Sequence, residues 1–421
     1  MNERWKVLVC AYACSPVQGS EPGMGWGWVE AISKYHDLWV LTEKDEFQAE
    51  VEAGLAARPD LARRVRFFFI RKHRHRTLRK IWPPSFYWFY RRWHWEAYEL
   101  ARALHAEVGF DVVHQLNMEG FREPGYLWKL DAPFVWGPVG GMGLMPWHFL
   151  FVSGCYGAVY HLAKNIVNLL QMRLLPRPKK AARAARGALI AATGGTREAM
   201  RRFFGEDSVV VTEVGPLSEH RAEPLIAREA EAPIRIVWNG LHIPRKGLPL
   251  LLRALPRLGP EVAWELHILS DGPQRAAWRR LASRLGLENR CHWYGWLPTR
   301  NPAVAITQSA HVLVITSLEE LTSTVLLEAL SLGVPVVCLD HCGFSDVVTA
   351  ECGIKIAVEN PRQVVRDLAA AIAALWRDEG HRQCLAVGAI ARAREFSWEA
   401  KARTVDAIYR AAAENTHENA L

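Results

Sequence analysis

Hydrophobic positions along the chain fall into short continuous runs set between longer stretches of mixed character. Lys6–Tyr12, His36–Thr42 and Val65–Ile70 read as buried strands, with Trp26–Ser33 and Glu46–Arg58 as the helices between them. Val108–Leu116, Ala132–Trp136, Ala188–Ala192 and Val209–Val214 supply further strand candidates, and the segment from Phe149 to Ala185 reads as mostly helical or connecting. A polar stretch follows, and then the rhythm restarts. Ile234–Trp238, Trp264–Leu269, Cys291–Trp293, Val312–Ile315, Pro335–Leu339 and Ile354–Val358 read as strands; Gly247–Leu258, Gln274–Leu285, Thr324–Leu332, Val364–Leu375 and Trp398–Ala413 read as helices. Apolar strands alternating with helices predict an α/β chain with parallel sheets covered on both faces.

Length then fixes the number of cores. At 421 residues the chain exceeds the size at which one core stops growing, so two domains are expected. Hydrophobic residues make up 50% and charged residues 23%, the balance of a globular protein. The formal charge of +8 and a pI near 9.1 suit an anionic partner without choosing among nucleic acid, membrane surface and phosphorylated small molecule. The eight cysteines are scattered, which fits a reducing compartment. Cys10 and Cys14 share their spacing with Cys338 and Cys342, but neither pair has the matching second half of a zinc site, and buried thiols are the simpler reading. No metal is therefore expected. The polar start Met1–Trp5 has no signal-peptide pattern, and Phe149–Leu170, the most apolar long stretch, is interrupted by Ser153, Gly154, His161, Lys164, Asn165 and Asn168. A cytoplasmic location is the expectation.

The richest chemistry lies in the run from Thr316 to Val336. Glu320 and Glu328 stand eight positions apart, the second on the helix that follows the loop, and the small apolar run Ala329–Val336 comes next. Thr322–Thr324 can cap that helix, whose free backbone donors attract a diphosphate, and the Glu328 carboxylate can hold a ribose diol. A spaced glutamate pair alone is more often a solvated surface. With its flanks, this segment resembles the signature of glycosyltransferase family 4, retaining enzymes of the GT-B architecture. The resemblance implies two Rossmann-like parallel-sheet domains facing across a cleft, with Glu320 beside the donor sugar. Gly240 and the basic pair Arg245–Lys246 before Gly247 add a second match, in which Lys246 is directed at the donor phosphate. The alternative is a wet basic surface. Leu241 departs from the pattern, since the family commonly has arginine after the loop glycine; Arg245 and His242 are the nearby replacements.

In the first half, Gly19-Ser20-Glu21-Pro22-Gly23 resembles the glycine loop of the polysaccharide- and lipid-glycosylating branch, so Gly19 and Ser20 join Glu328, Gly240, Arg245, Thr322, Ser323, Thr324 and Val325 as expected donor contacts. A tight strand-to-helix turn is the plain alternative. Lys246, Glu320 and His114 are the expected catalytic residues. His114 ends a buried strand, although Leu116 stands where many relatives have a second histidine, and a structural hydrogen-bonding role is the competing reading. Asn117, Arg122, Gly140 and Gly141 are assigned to the acceptor cleft. The resemblance places an acceptor domain at 1–217, a linker at 218–233, a nucleotide-sugar domain at 234–395, and at 396–421 a helix packing back on the first domain, with a tail.

Arg71–Tyr98 combines a basic run with a dense aromatic one, a pattern suited to anionic lipid headgroups or to a basic surface beside a buried aromatic helix. Nucleic acid is disfavoured because no binding module is recognisable. The expected activity is transfer, with retention, of a hexose-type sugar from a nucleotide-diphosphate donor to a lipid-linked or polysaccharide acceptor, without a cofactor. The alternative is a non-catalytic sugar-nucleotide or carbohydrate-binding protein.

Overall fold

A computed structural model describes residues 4–73, 85–118, 120–216, 226–229, 231–297 and 299–418. The described strands form two parallel sheets, each belonging to its own unit.

The first unit comprises Met1–Met142, Leu170–Gly215 and Trp398–Leu421. Its sheet has the order β3-β2-β1-β4-β5-β6-β7, built from β1 (Lys6–Ala11), β2 (Asp37–Glu43), β3 (Val65–Ile70), β4 (Val112–Asn117), β5 (Phe134–Val139), β6 (Leu189–Ala191) and β7 (Val209–Val210). The central strands β1, β4 and β5 are buried almost throughout, as parallel strands covered on both faces must be.

The glycine-rich run after β1 is helical rather than a loop. The helix already begins at Ser20 and runs to Ser33. Its first turn tolerates Pro22, because an amide there has no partner inside the helix. The internal glycines answer to packing: a Cβ on Gly25 would stand 2.2 Å from the Ala13 carbonyl oxygen, and one on Gly27 would stand 2.4 Å from the Trp398 ring. Trp398 opens the helix Trp398–Glu418, which packs on Ser20–Ser33 and carries the fully buried Tyr409 into the core. The helix Phe86–Val108, of the kind the second reading of Arg71–Tyr98 proposed, buries Tyr90, Trp93, His94, Ala97 and Ala101 along one stripe, with the Trp93 indole donating to the Ile70 carbonyl at 3.2 Å.

The second unit comprises Gly143–Leu169 and Pro216–Ser397. Its strands β8 (Ile234–Asn239), β9 (Trp264–Leu269), β10 (Cys291–Gly295), β11 (Val312–Ile315), β12 (Val336–Leu339) and β13 (Gly353–Ile356) run in the order β10-β9-β8-β11-β12-β13. Residues 143–169 differ from the expectation that put them with the N-terminal half. Met145, Phe149, Leu150 and Ala158 belong to the cluster formed by Leu248–Leu252, Ile236 and Leu368. Asn165 secures the segment, donating to the Met145 carbonyl at 2.8 Å and accepting from its amide at 3.0 Å. Residues 218–225 and 230 of the expected linker lie outside the described residues.

Alanine is a better helix former than glycine by about 1 kcal/mol, yet at Gly27 the overpacking cost, about 1–3 kcal/mol, exceeds it. Gly27→Ala is therefore expected to lower the melting temperature, whereas Gly195→Ala, with no atom nearer than 3.9 Å to the new methyl, is expected to keep or raise it. Thermal denaturation of both variants checks the sign; stabilisation by Gly27→Ala would refute the packing account.

Candidate active site

The site in the second unit is built by two loops that leave the carboxyl ends of the neighbouring strands β8 and β11. A relay of hydrogen bonds ties them together. The Trp238 indole donates to Thr316 Oγ1 at 3.0 Å, and the Thr316 hydroxyl donates to the Lys246 carbonyl at 2.9 Å. The Leu318 amide adds a bond to the Arg245 carbonyl at 2.8 Å. Gly247 takes a left-handed φ of 66°, and a Cβ there would sit 2.3 Å from the Thr316 carbonyl oxygen, so the close approach of the loops requires glycine.

This bracing brings the predicted charges together. Lys246 Nζ pairs with Glu320 Oε2. Arg245 Nη1 lies 3.3 Å from the same carboxylate oxygen and donates to the Glu319 carbonyl at 2.6 Å. Gly240 packs against the lysine stem, its ideal Cβ position 3.4 Å from Lys246 Cδ. Glu319 in turn pairs with Lys164, a residue of the 143–169 segment for which the sequence reading proposed no site role.

Glu328 is nearly buried on the helix Thr324–Ser331, where its Oε1 accepts from Arg300 Nε at 3.0 Å and from Nη2 at 2.5 Å. Arg300 also lines a pocket of about 370 Å³ together with Asn239, Leu269, Ser270, Trp296 and Thr299. That volume falls in the range of small-molecule sites, and its place beyond the carboxyl ends of β8 and β9 is where parallel α/β sheets bind ligands. Trp296, 70% exposed, and Arg300 were not anticipated. Their one sequence signal is position, just after the short strand Cys291–Gly295 and at the start of the helix Arg300–Gln308.

The expected cap on the Glu328 helix takes another form. Ser323 occupies the N-cap position with φ 151°, a region that side chains rarely adopt, and its hydroxyl makes no capping bond. The helix start at Thr324 and Val325 therefore lacks a side-chain cap, which leaves its end suited to an anion. His242, offered by the sequence as a substitute cation, is instead wholly buried against the Trp238, Trp278 and Trp293 rings, and burial lowers its pKa. Leu241 is exposed.

In the first unit, His114 is a core residue rather than a reaction-centre one. Its Nδ1 lies 2.7 Å from the Tyr409 hydroxyl and its Nε2 2.7 Å from the Gly137 carbonyl, so both ring nitrogens are occupied. Desolvation lowers its pKa to about 4, only partly opposed by the Gly137 bond. Asn117 is likewise structural: its amide donates to the Ala13 carbonyl at 2.7 Å and is buried. Arg122 gives its Nε to Gln171 at 2.5 Å and stacks over Phe121. Gly140 bridges to Gly120, and Gly141 takes φ 76°. Gly19 and Ser20 are exposed at the start of the helix Ser20–Ser33. Burial pushes the Cys10 thiol up to about 12 and raises Cys14 and Cys338 further, so these cysteines are inert core residues.

Two parallel-sheet Rossmann-like units define the GT-B class of glycosyltransferase folds. Residues 233–378, which contain Lys246, Glu320 and Glu328, match the family described as Glycosyl transferases group 1. It is 29% identical over 325 residues to a D-inositol 3-phosphate glycosyltransferase of Kribbella flavida, covering 71% of this chain and 74% of the relative. A lipopolysaccharide core biosynthesis glycosyltransferase, LpsE, of Rhizobium meliloti is 33% identical over 108 residues, which span 26% of this chain and 30% of that protein. Among solved structures, Anabaena Alr3699/HepE in complex with UDP-glucose aligns with a TM-score of 0.59 at 17% identity, covering 99% of this chain and 100% of that one.

A histidine whose folded pKa lies below its unfolded value near 6.5 contributes stability that is complete above pH 6.5 and is lost as pH falls toward 4. His114→Phe should remove that portion of the acid sensitivity and cost about 1–3 kcal/mol through the unpaired Tyr409 hydroxyl and Gly137 carbonyl. Turnover per folded molecule should be unchanged; a hundredfold loss of kcat in a well-folded variant would return His114 to the reaction centre.

Proposed function

We propose that the chain transfers a hexose-type sugar, with retention of anomeric configuration, from a nucleoside-diphosphate sugar to a hydroxyl of a lipid-linked or polysaccharide acceptor. The observation that carries this reading is the set of Lys246, Arg245 and Glu320 beside a pocket whose wall, Arg300, holds Glu328. A diphosphate arriving at the two cations competes with Glu320, freeing that carboxylate to approach the donor sugar. The uncapped start of Thr324–Ser331 offers backbone donors to the same phosphates. Glu328, released from or shared with Arg300, accepts hydrogen bonds from the ribose, while Trp296 offers an aromatic face to the base. The UDP-glucose bound in the Anabaena structure makes a uridine donor the first to test. Departure of the diphosphate builds negative charge on its oxygens beside Lys246, so the ammonium acts chiefly in the transition state. On this reading the leaving diphosphate accepts the proton of the attacking hydroxyl, on the same face of the sugar, and no glutamate acts as nucleophile. No cofactor takes part.

Screening the purified protein for binding of several nucleotide sugars, then for transfer to lipid-linked acceptors, tests the proposal. Lys246→Ala should lower kcat about 100-fold with donor saturating, the loss typical of removing one charge-stabilising group. Glu328→Ala should weaken donor binding about tenfold or more. Donor binding without transfer or hydrolysis would favour a non-catalytic sugar-nucleotide-binding protein, and product of inverted configuration would end the retaining assignment.

We further propose contact with an anionic membrane surface through the aromatic and basic segment Arg71–Tyr98, of which residues 74–84 lie outside the described residues. Within the described part, Tyr87, Trp88 and Trp95 are exposed near Arg91 and Arg92, a combination suited to the lipid interface. No described helix is long and apolar enough to cross a membrane. Vesicles containing phosphatidylglycerol should sediment the protein and neutral ones should not, with Trp88→Ala together with Arg92→Ala weakening the effect. Equal recovery with both vesicle types would remove this proposal.

A further inference from the structure

The outward face of the edge of the second sheet carries a cluster that the donor site does not use. Glu265 and His267 lie two apart on β9 and so project from the same face, while His292 on β10 is the registered partner of His267. Their ligand atoms all lie within 4.8 Å of one another. The two imidazoles stack with centroids 4.9 Å apart at an interplanar angle of 25°. Glu265 Oε2 lies 3.7 Å from His267 Nε2, too long for a hydrogen bond. That Nε2 is a buried atom without a hydrogen-bond partner, a costly arrangement in a nitrogen that points toward a carboxylate and a second imidazole.

The other nitrogen of His267 is held. The Tyr294 hydroxyl lies 2.9 Å from His267 Nδ1, which fixes the ring and leaves Nε2 as the atom presented to the cluster. Arg235, registered opposite Glu265 on β8, gives its Nε to the Ser309 carbonyl at 2.7 Å.

From this geometry we propose that Glu265, His267 and His292 bind one divalent transition-metal ion, Zn²⁺ above others, as a clasp between β9 and the edge strand β10. Two imidazoles and a carboxylate form a borderline donor set that suits zinc and its neighbours rather than calcium or magnesium. Tetrahedral zinc with bonds of about 2.0–2.1 Å requires ligand atoms about 3.3 Å apart, so side-chain rotations must draw in atoms that stand 3.7 Å apart for Glu265 and His267 and within 4.8 Å for the whole set. Solvent fills the fourth position. The Tyr294 hydroxyl acts as the outer partner that sets the His267 tautomer. The ion binds the folded pair of strands and not the unfolded chain, so it raises stability without entering the transfer reaction.

The test is calorimetric titration of the EDTA-dialysed full-length protein with ZnCl₂, with melting temperature followed in parallel. The expected result is one equivalent bound, with affinity at least tenfold lower in His292→Ala and in Glu265→Gln, and about tenfold lower in Tyr294→Phe. Zinc should raise the melting temperature of the wild type and not of His292→Ala. Because His292 is exposed, its alanine variant is expected to fold normally, and His292→Cys, which restores a zinc ligand, should regain binding. The proposal is overturned by absence of one-equivalent binding in the wild type, or by wild-type affinity in His292→Ala.

Discussion

The hydroxyl of Thr316 holds the site of the second unit together. It accepts from the Trp238 indole and donates to the Lys246 carbonyl, so one small side chain at the end of β11 sets the position of the loop that follows β8. Gly247 permits the approach, since any Cβ would strike the Thr316 carbonyl. Lys246, Arg245 and Glu320 meet because their backbones are braced first. Their side-chain charges then pair at little net energy, as partly buried ion pairs do. Geometry dictated by the main chain precedes the electrostatics that use it.

Pairing of every carboxylate with a cation is the second property of the site. Glu320 lies between two cations, Glu328 is paired with Arg300, and Glu319 with Lys164. Every carboxylate of this loop and helix has a basic neighbour, so an incoming anion exchanges partners instead of meeting bare positive charge. Such a site selects a ligand able to satisfy several groups at once, because one that reached only Lys246 would gain little over Glu320.

The alternation of β-rich runs with helices made the two parallel sheets legible, because fully buried parallel strands leave continuous apolar stretches such as Val7–Ala11 and Val312–Ile315. Lys246, Glu320 and Glu328 were singled out because their segments resemble a glycosyltransferase signature, and the structure pairs Lys246 with Glu320 across the loops that follow β8 and β11. Other features depend on partners remote in sequence. The Gly19–Gly23 run looked like a loop, since glycine and proline ordinarily break helices; here close packing against Ala13 and Trp398 overrides propensity. His114 was read as ending a strand, but it lies within β4, and Tyr409, far along the chain, seals it. Arg300 and Trp296 carry no pattern of their own, and only the folded sheet edge brings them to the pocket. Residues 143–169 changed unit for the same reason, since Phe149 finds its apolar neighbours only in three dimensions.

The division of the units along the chain has a bearing on biosynthesis. The first unit buries Tyr409 of the helix Trp398–Glu418 in its core, although all its other strands and helices precede Pro216, where the larger segment of the second unit begins. The nascent N-terminal part must wait, with the surface that receives the helix Trp398–Glu418 still uncovered, until the sheet of the second unit has been synthesised. The second unit holds its early segment 143–169 long before the sheet that will receive it exists. Order along the chain and membership of the units thus differ, and a chain cut before Trp398 lacks part of the unit that begins first.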